Sequence, residues 1–155
     1  MPLPSVVSVW SRWRLHADAV VSVLTDHEIA AEVAGDPWGV PGVLVAELVA
    51  GEDLRLLTGR RREGRPTVVW GGTLPVPRVA ALRDAGASAY VTGLDSPQEL
   101  AAVVRRVQEG QRPTWSAGAA PTVTLTPRER QVAQAYLVLW ADRTRAKVAA
   151  QLGIS

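Results

Sequence analysis

Five short apolar runs recur along the first hundred residues, at 6–10, 29–33, 43–46, 67–70 and 89–92, and helix-period or turn-forming sequence separates them. Runs of four or five apolar residues are strand length, and strands alternating with helices must join in parallel. Residues 16–26 place Ala17, Val20, Val21 and Leu24 at i, i+3, i+4 and i+7, one face of a helix. Residues 52–58 allow a short helix through Leu54 and Leu57, and Val79 to Leu82 another, with Gly86 where a C-cap glycine belongs. Ser96-Pro97-Gln98-Glu99 is a capping box with proline at the first helical position, followed by the stripe Leu100, Val103, Val104, Val107 and a stop at Gly110. The pattern predicts an α/β domain over residues 1–112: a five-stranded parallel, doubly wound sheet with four or five helices.

One expected helix is missing. Gly35-Asp36-Pro37-Trp38-Gly39-Val40-Pro41-Gly42 puts two prolines and three glycines into eight residues, which leaves the second helix reduced or absent. Residues 60–66, Arg-Arg-Arg-Glu-Gly-Arg-Pro, read as a polar loop whose like charges are solvated. From 113 to 124 the composition turns to Pro, Thr, Ala and Gly, a linker. Beyond it, Thr126-Pro127-Arg128-Glu129 repeats the capping box and opens a helix through Val132, Ala133 and Tyr136, with a second helix over 143–152 ended by Gly153.

Composition removes several function classes. With no cysteine among 155 residues, disulfide frameworks, thiolate metal sites and cysteine nucleophiles are excluded. His16 and His27 stand at opposite ends of the first helix, cannot share a metal by i, i+4 spacing, and read as surface residues. No glycine-rich phosphate loop, G-x-S-x-G elbow or histidine–carboxylate pair follows any strand, so an enzyme is not expected. The apolar runs are too short to span a bilayer, and Met-Pro-Leu-Pro-Ser is no export signal, which makes the cytoplasm the expected location and a membrane partner unexpected. The pI of about 9.7 reflects arginine usage, since Lys147 is the only lysine. Five bases stand against two acids in residues 125–155, so the positive excess is C-terminal.

Two stretches carry a family resemblance. Val79 to Val91, with Ala85-Gly86-Ala87-Ser88-Ala89-Tyr90-Val91 at its end and Ser96-Pro97-Gln98-Glu99-Leu100 after it, resembles the last helix, strand and helix of a bacterial response-regulator receiver domain. Leu125-Thr126-Pro127-Arg128-Glu129-Arg130, with Val148-Ala149-Ala150-Gln151-Leu152-Gly153-Ile154-Ser155, is similar to the opening of a LuxR-type helix-turn-helix. The resemblance implies a receiver-like, flavodoxin-like domain followed by the N-terminal part of an all-α helix-turn-helix over 125–155. Ser155 would then be the N-cap of the recognition helix, and the polypeptide as it stands would meet DNA through phosphates, with Arg143, Arg145 and Lys147 as candidates.

The receiver chemistry does not carry over. A receiver phosphorylates an aspartate with Mg²⁺ held partly by paired acids after the first strand, because that ion demands near-octahedral oxygen ligands. Ser11 and Arg12 occupy that place here, Glu47 falls on the acceptor position, Gly71 on the switch hydroxyl and Gly93 on the lysine. No metal or cofactor is therefore expected. Glu47 reads as a carboxylate at a solvated strand end in preference to a mimic of phosphoaspartate, since no cationic partner is evident from the sequence. Asp18 and Asp26 read as solvent-facing. Trp10, Trp13, Trp38 and Trp70 gather near strand ends, where ligands bind in this fold class, though core filling or a protein contact is the favoured reading. The expected function is a phosphorylation-independent transcription regulator acting as a homodimer, or through a protein or small-molecule effector, with DNA as partner when the helix-turn-helix is complete. The alternative is a regulatory module that binds a protein and no DNA.

Overall fold

The computed structural model describes residues 6–48, 53–113, 115 and 125–132. The chain divides into two compact units, Met1–Pro121 and Thr122–Ser155. In the first unit the described elements run β1 (Val7–Trp10), α1 (Arg14–Asp26), β2 (Ala31–Val33), β3 (Leu44–Glu47), α2 (Asp53–Arg62), β4 (Thr67–Gly71), α3 (Val76–Ala85), β5 (Ala89–Thr92) and α4 (Pro97–Gln108). All pairings are parallel, in the order β2-β1-β3-β4-β5. This is the doubly wound, flavodoxin-like sheet that the alternating runs imply. The winding direction reverses between β1 and β3, which opens a crevice at their carboxyl ends.

Strand alternation sorts the core into two layers. Val9, Val45, Val68 and Val91 face α1 and α4, and pack with Ala17, Val20, Leu24, Leu100, Val103, Val104 and Val107. Val69 and Tyr90 face the other way, onto Leu57 of α2 and Val79 and Leu82 of α3. Leu44 and Ala46 meet Leu56 and Val40 beside them. Each large apolar side chain so buried contributes about 1.5–3 kcal/mol before conformational entropy is charged against it. Helix α4 begins as the capping box dictates, the Ser96 hydroxyl accepting from the Glu99 amide at 3.2 Å. Gly86 closes α3 in the left-handed region with φ of +109°, where a Cβ would be strained.

No helix forms between β2 and β3 among the described residues. The loop that replaces it corrects one expectation in part, because residues 60–62 end a helix and Arg60 is not solvated, whereas Arg61 and Arg62 are exposed as expected. Helix α2 extends through Arg62, and Arg60 is 1% exposed. Its Nη1 donates to the carbonyls of Val40 (2.8 Å) and Pro37 (3.4 Å), Nη2 to those of Gly42 (2.8 Å) and Pro66 (3.3 Å), and Nε to the Thr67 hydroxyl (2.9 Å). A guanidinium has five N–H donors in a rigid fork, and each finds an acceptor here. The physical reason is the missing helix: carbonyls that would have bonded along it need donors from elsewhere. Burial, with Arg65 adding repulsion and Glu63 partly offsetting it, pushes the Arg60 pKa below its ordinary value.

In the second unit the described residues form a helical turn over 127–132. Thr126 and Glu129 cap it reciprocally: the Glu129 amide donates to Thr126 Oγ1 at 3.2 Å, and Glu129 Oε2 accepts from the Thr126 amide at 2.8 Å. That amide, and then the Thr126 hydroxyl, hold the Glu129 carboxyl below its usual range. The expected positions Ala133, Tyr136 and Gly153, and the helix over 143–152, lie outside the described residues.

Candidate functional site

The crevice at the switch point is lined by the carboxyl ends of β1, β3 and β4. Register places Ala46 beside Trp10 and Glu47 beside Trp70. Three buried residues, Leu44, Val45 and Ala46, anchor β3, so its last residue, Glu47, emerges at the edge with its side chain 14% exposed. Two groups of the β1–α1 segment reach it. The Ser11 hydroxyl donates to Glu47 Oε2, and His16 Nδ1 lies 3.0 Å from Oε2 and 3.1 Å from Oε1. A carboxylate accepts through either oxygen, so Nδ1 of the tautomer that carries its proton there can donate to both.

This geometry corrects two expectations. Glu47 is no isolated carboxylate at a solvated strand end, and a histidine–carboxylate pair does exist. His16 also packs against Trp13, with centroids 5.4 Å apart, and meets Trp70 edge-on at 6.2 Å. Ser11 Oγ accepts from the Trp13 amide at 3.0 Å, which steadies the turn into α1. The three polar groups do not form a catalytic relay. A triad needs histidine between serine and carboxylate, whereas here the carboxylate lies between serine and histidine.

The remaining sequence positions fall around this centre. Gly71 ends β4 with φ of +140°, its hydrogen facing Glu47, where an added Cβ would stand 3.8 Å from Cγ. Gly93 follows β5 and approaches the backbone of Gly72. Neither position can present a hydroxyl or an ammonium. Arg12 is exposed. A cavity of about 300 Å³ adjoins the pair, lined by His16, Ala19, Val20 and Val23 of α1 and by Glu47, Trp70, Gly71 and Gly72. The Trp70 indole Nε1 is buried without a hydrogen-bond partner among the described residues.

The donor set does not suit Mg²⁺, which wants six oxygen ligands. The crevice offers one carboxylate, already accepting from Ser11 and His16, and among the described residues no group of three or more His, Cys, Asp or Glu side chains could hold a metal. Asp18 pairs with Arg14 at 3.0 Å on the exposed face of α1, and Asp26 is exposed, as their spacing suggested. His27 is half-buried, its Nδ1 2.8 Å from the Val23 carbonyl of its own helix. Arg143, Arg145 and Lys147 lie outside the described residues.

Across the crevice mouth, Tyr90 fixes the loop after β4. Its ring is 2% exposed, and its hydroxyl donates to the Gly72 carbonyl at 2.6 Å while accepting from the Leu74 amide at 3.0 Å. Burial pushes this phenol above its ordinary pKa, with a smaller push from Asp95 and an opposing effect of the Leu74 hydrogen bond. Sequence reasoning missed His16 as a member of the site and Tyr90 as the residue that holds the loop after β4. Thirty-one positions separate His16 from Glu47, so no local spacing could link them.

No protein-family model matches the chain, and no curated protein matches it. Solved structures do. ChrA, the response regulator of a heme-sensing two-component system, superposes with a TM-score of 0.64 at 18% identity, over 99% of this chain and 84% of its own. A LuxR-family two-component response regulator from Aurantimonas sp. SI85-9A1 gives 0.61 at 16% identity, over 70% of this chain and 87% of its own. RcsB of Salmonella typhimurium, from a study of conformational dynamism for DNA interaction, gives 0.58 at 15% identity, over 96% and 83%. At such identities the likeness establishes the fold, which is that of response-regulator receiver domains.

Proposed function

We propose that this chain is a transcription regulator of the response-regulator type whose receiver-like unit signals without aspartyl phosphorylation, and that it is not an enzyme. Its signal enters through dimerisation or through binding of a protein or small-molecule effector. The observation that carries this reading is the state of the Glu47 carboxylate, which accepts hydrogen bonds from Ser11 and His16 at the place where receivers hold their acceptor aspartate. Phosphoryl transfer needs an acceptor oxygen in line with the incoming group and cations on its equatorial oxygens. Ser11 and Arg12 bring no metal-binding acid, while Gly71 and Gly93 bring no donor.

For the second unit, the reciprocal Thr126–Glu129 cap supports a helix start of the kind that opens a LuxR-type helix-turn-helix. Arg143, Arg145 and Lys147 are then the groups proposed to contact DNA phosphates. A cytoplasmic location goes with this reading, and among the described residues no helix is long and apolar enough to cross a membrane. The direct test incubates the chain with Mg²⁺ and acetyl phosphate and follows intact mass. The native chain and Glu47→Asp are both expected to stay unmodified, because restoring the aspartate restores neither the metal ligands nor the lysine. A stoichiometric acid-labile adduct on the native chain would overturn the proposal.

A further inference from the structure

At the opposite end of the sheet from Glu47, the segments entering β4 and β5 and leaving α4 enclose a second cavity of about 600 Å³. Small-molecule sites commonly span roughly 300–1,000 Å³. Three arginines from three different elements line it: Arg61 near the end of α2, Arg83 in the last turn of α3 and Arg112 just after α4. Pro66, Val107 and Trp115 supply an apolar wall, and none of the described lining residues is acidic.

Arginines near helix C-termini also have the ordinary role of offsetting the helix dipole. That role does not exhaust them here, since three helix ends contribute roughly half a negative charge each, against three full positive charges. The groove stays net positive. Two of its cations are already held in place. Arg61 Nη1 donates to the Asp84 carbonyl at 3.1 Å, and its aliphatic chain lies across Gly86 so closely that any Cβ there would collide with it. The Arg83 guanidinium stacks on the Trp115 ring, 4.9 Å from its centroid. Side chains fixed before binding lose less freedom on binding. Ser88 Oγ accepts from the Thr67 amide at 3.2 Å, which leaves its own proton for a ligand acceptor.

We infer that this groove binds a small phosphorylated molecule bearing a flat ring, of nucleoside diphosphate chemistry. The phosphates meet the arginine forks, which match phosphate oxygens in paired N–H···O bonds, and the ring lies against Pro66, Val107 and Trp115. Because Trp115 and Arg112 follow α4 while Arg61 and Arg83 belong to α2 and α3, such a ligand ties the chain leaving the receiver-like unit to two of its helices. The site is independent of the phosphorylation reading, and either can fail alone.

The test is calorimetric titration of the full chain with ADP, pyrophosphate and adenosine in separate experiments. Saturable binding of ADP is expected, with pyrophosphate weaker and adenosine not saturating. Arg112→Gln, an exposed position, and the double variant with Arg83→Gln should weaken ADP about tenfold or more, the scale of lost charge-assisted bonds. Arg14→Gln, the same charge change on α1, should leave the affinity unchanged. Absence of saturable ADP binding, an equal loss in Arg14→Gln, or displacement of ADP by random-sequence duplex DNA would overturn the inference.

Discussion

Glu47 and Arg60 are both charged side chains drawn into the fold, yet their surroundings differ in kind. Arg60 meets four backbone carbonyls and one hydroxyl, three of the carbonyls in the connection that replaces the missing helix and the other two acceptors at the entry to β4. Glu47 meets two side chains, one of them a histidine whose side chain is 48% exposed. The first environment is closed to water, while the second adjoins a cavity and includes a half-exposed histidine. A charge held by backbone is a structural clamp, and a charge held by half-exposed side chains can be re-partnered by a ligand or a neighbouring protein. The same fold therefore separates a stability determinant from a candidate signalling site.

Substitution can break that contrast. Arg60→Ala removes the clamp and leaves several loop carbonyls without donors, a loss expected to cost about 3–5 kcal/mol in urea unfolding. Arg60→Lys keeps the charge but offers at most three donors, so it should recover only part of the loss. A cost for Arg60→Ala below about 1 kcal/mol, the scale of a surface ion pair, would erase the distinction. Tyr90→Phe, which frees the Gly72 carbonyl and the Leu74 amide at the crevice mouth, should cost about 1–2 kcal/mol. It also has a pH signature. The folded phenol holds its proton more tightly than the unfolded chain, so stability is full below about pH 10 and falls as the pH rises beyond it. Unfolding followed across that range should lose this slope in Tyr90→Phe. Glu47→Ala is expected to have the smallest effect, within about 1 kcal/mol, because its partners can turn to water. A cost comparable to that of Arg60→Ala would make Glu47 a structural residue and count against the signalling role proposed for it.

Legibility in the sequence follows the range of the interaction concerned. The five strands, the α4 stripe, the Ser96 cap and the Gly86 stop all rest on neighbours within a few positions, and each stands where the pattern put it. The glycine- and proline-rich stretch told correctly that a helix would be lost between β2 and β3. It did not tell what satisfies the carbonyls left behind. Arg60 was hidden among Arg61, Arg62 and Arg65, and a run of like charges reads as a solvated surface until the loop closes over one of its members. Of the candidate site, the sequence named the positions Ser11, Glu47, Gly71 and Gly93 but gave none of the contacts that Glu47 makes.

By itself, the sequence determined the alternation that makes a parallel doubly wound sheet, the absence of thiol chemistry, and the residue types Ser11, Glu47, Gly71 and Gly93 around the crevice. These are matters of period and inventory, and both survive without coordinates. Only the tertiary structure decided that Arg60 is the clamp of the shortened connection, that His16 and Ser11 occupy Glu47, and that three arginines share a groove with Trp115. Charge and hydrogen-bonding capacity belong to single residues, but what they do depends on which distant segments the packed core brings within about 3 Å of them.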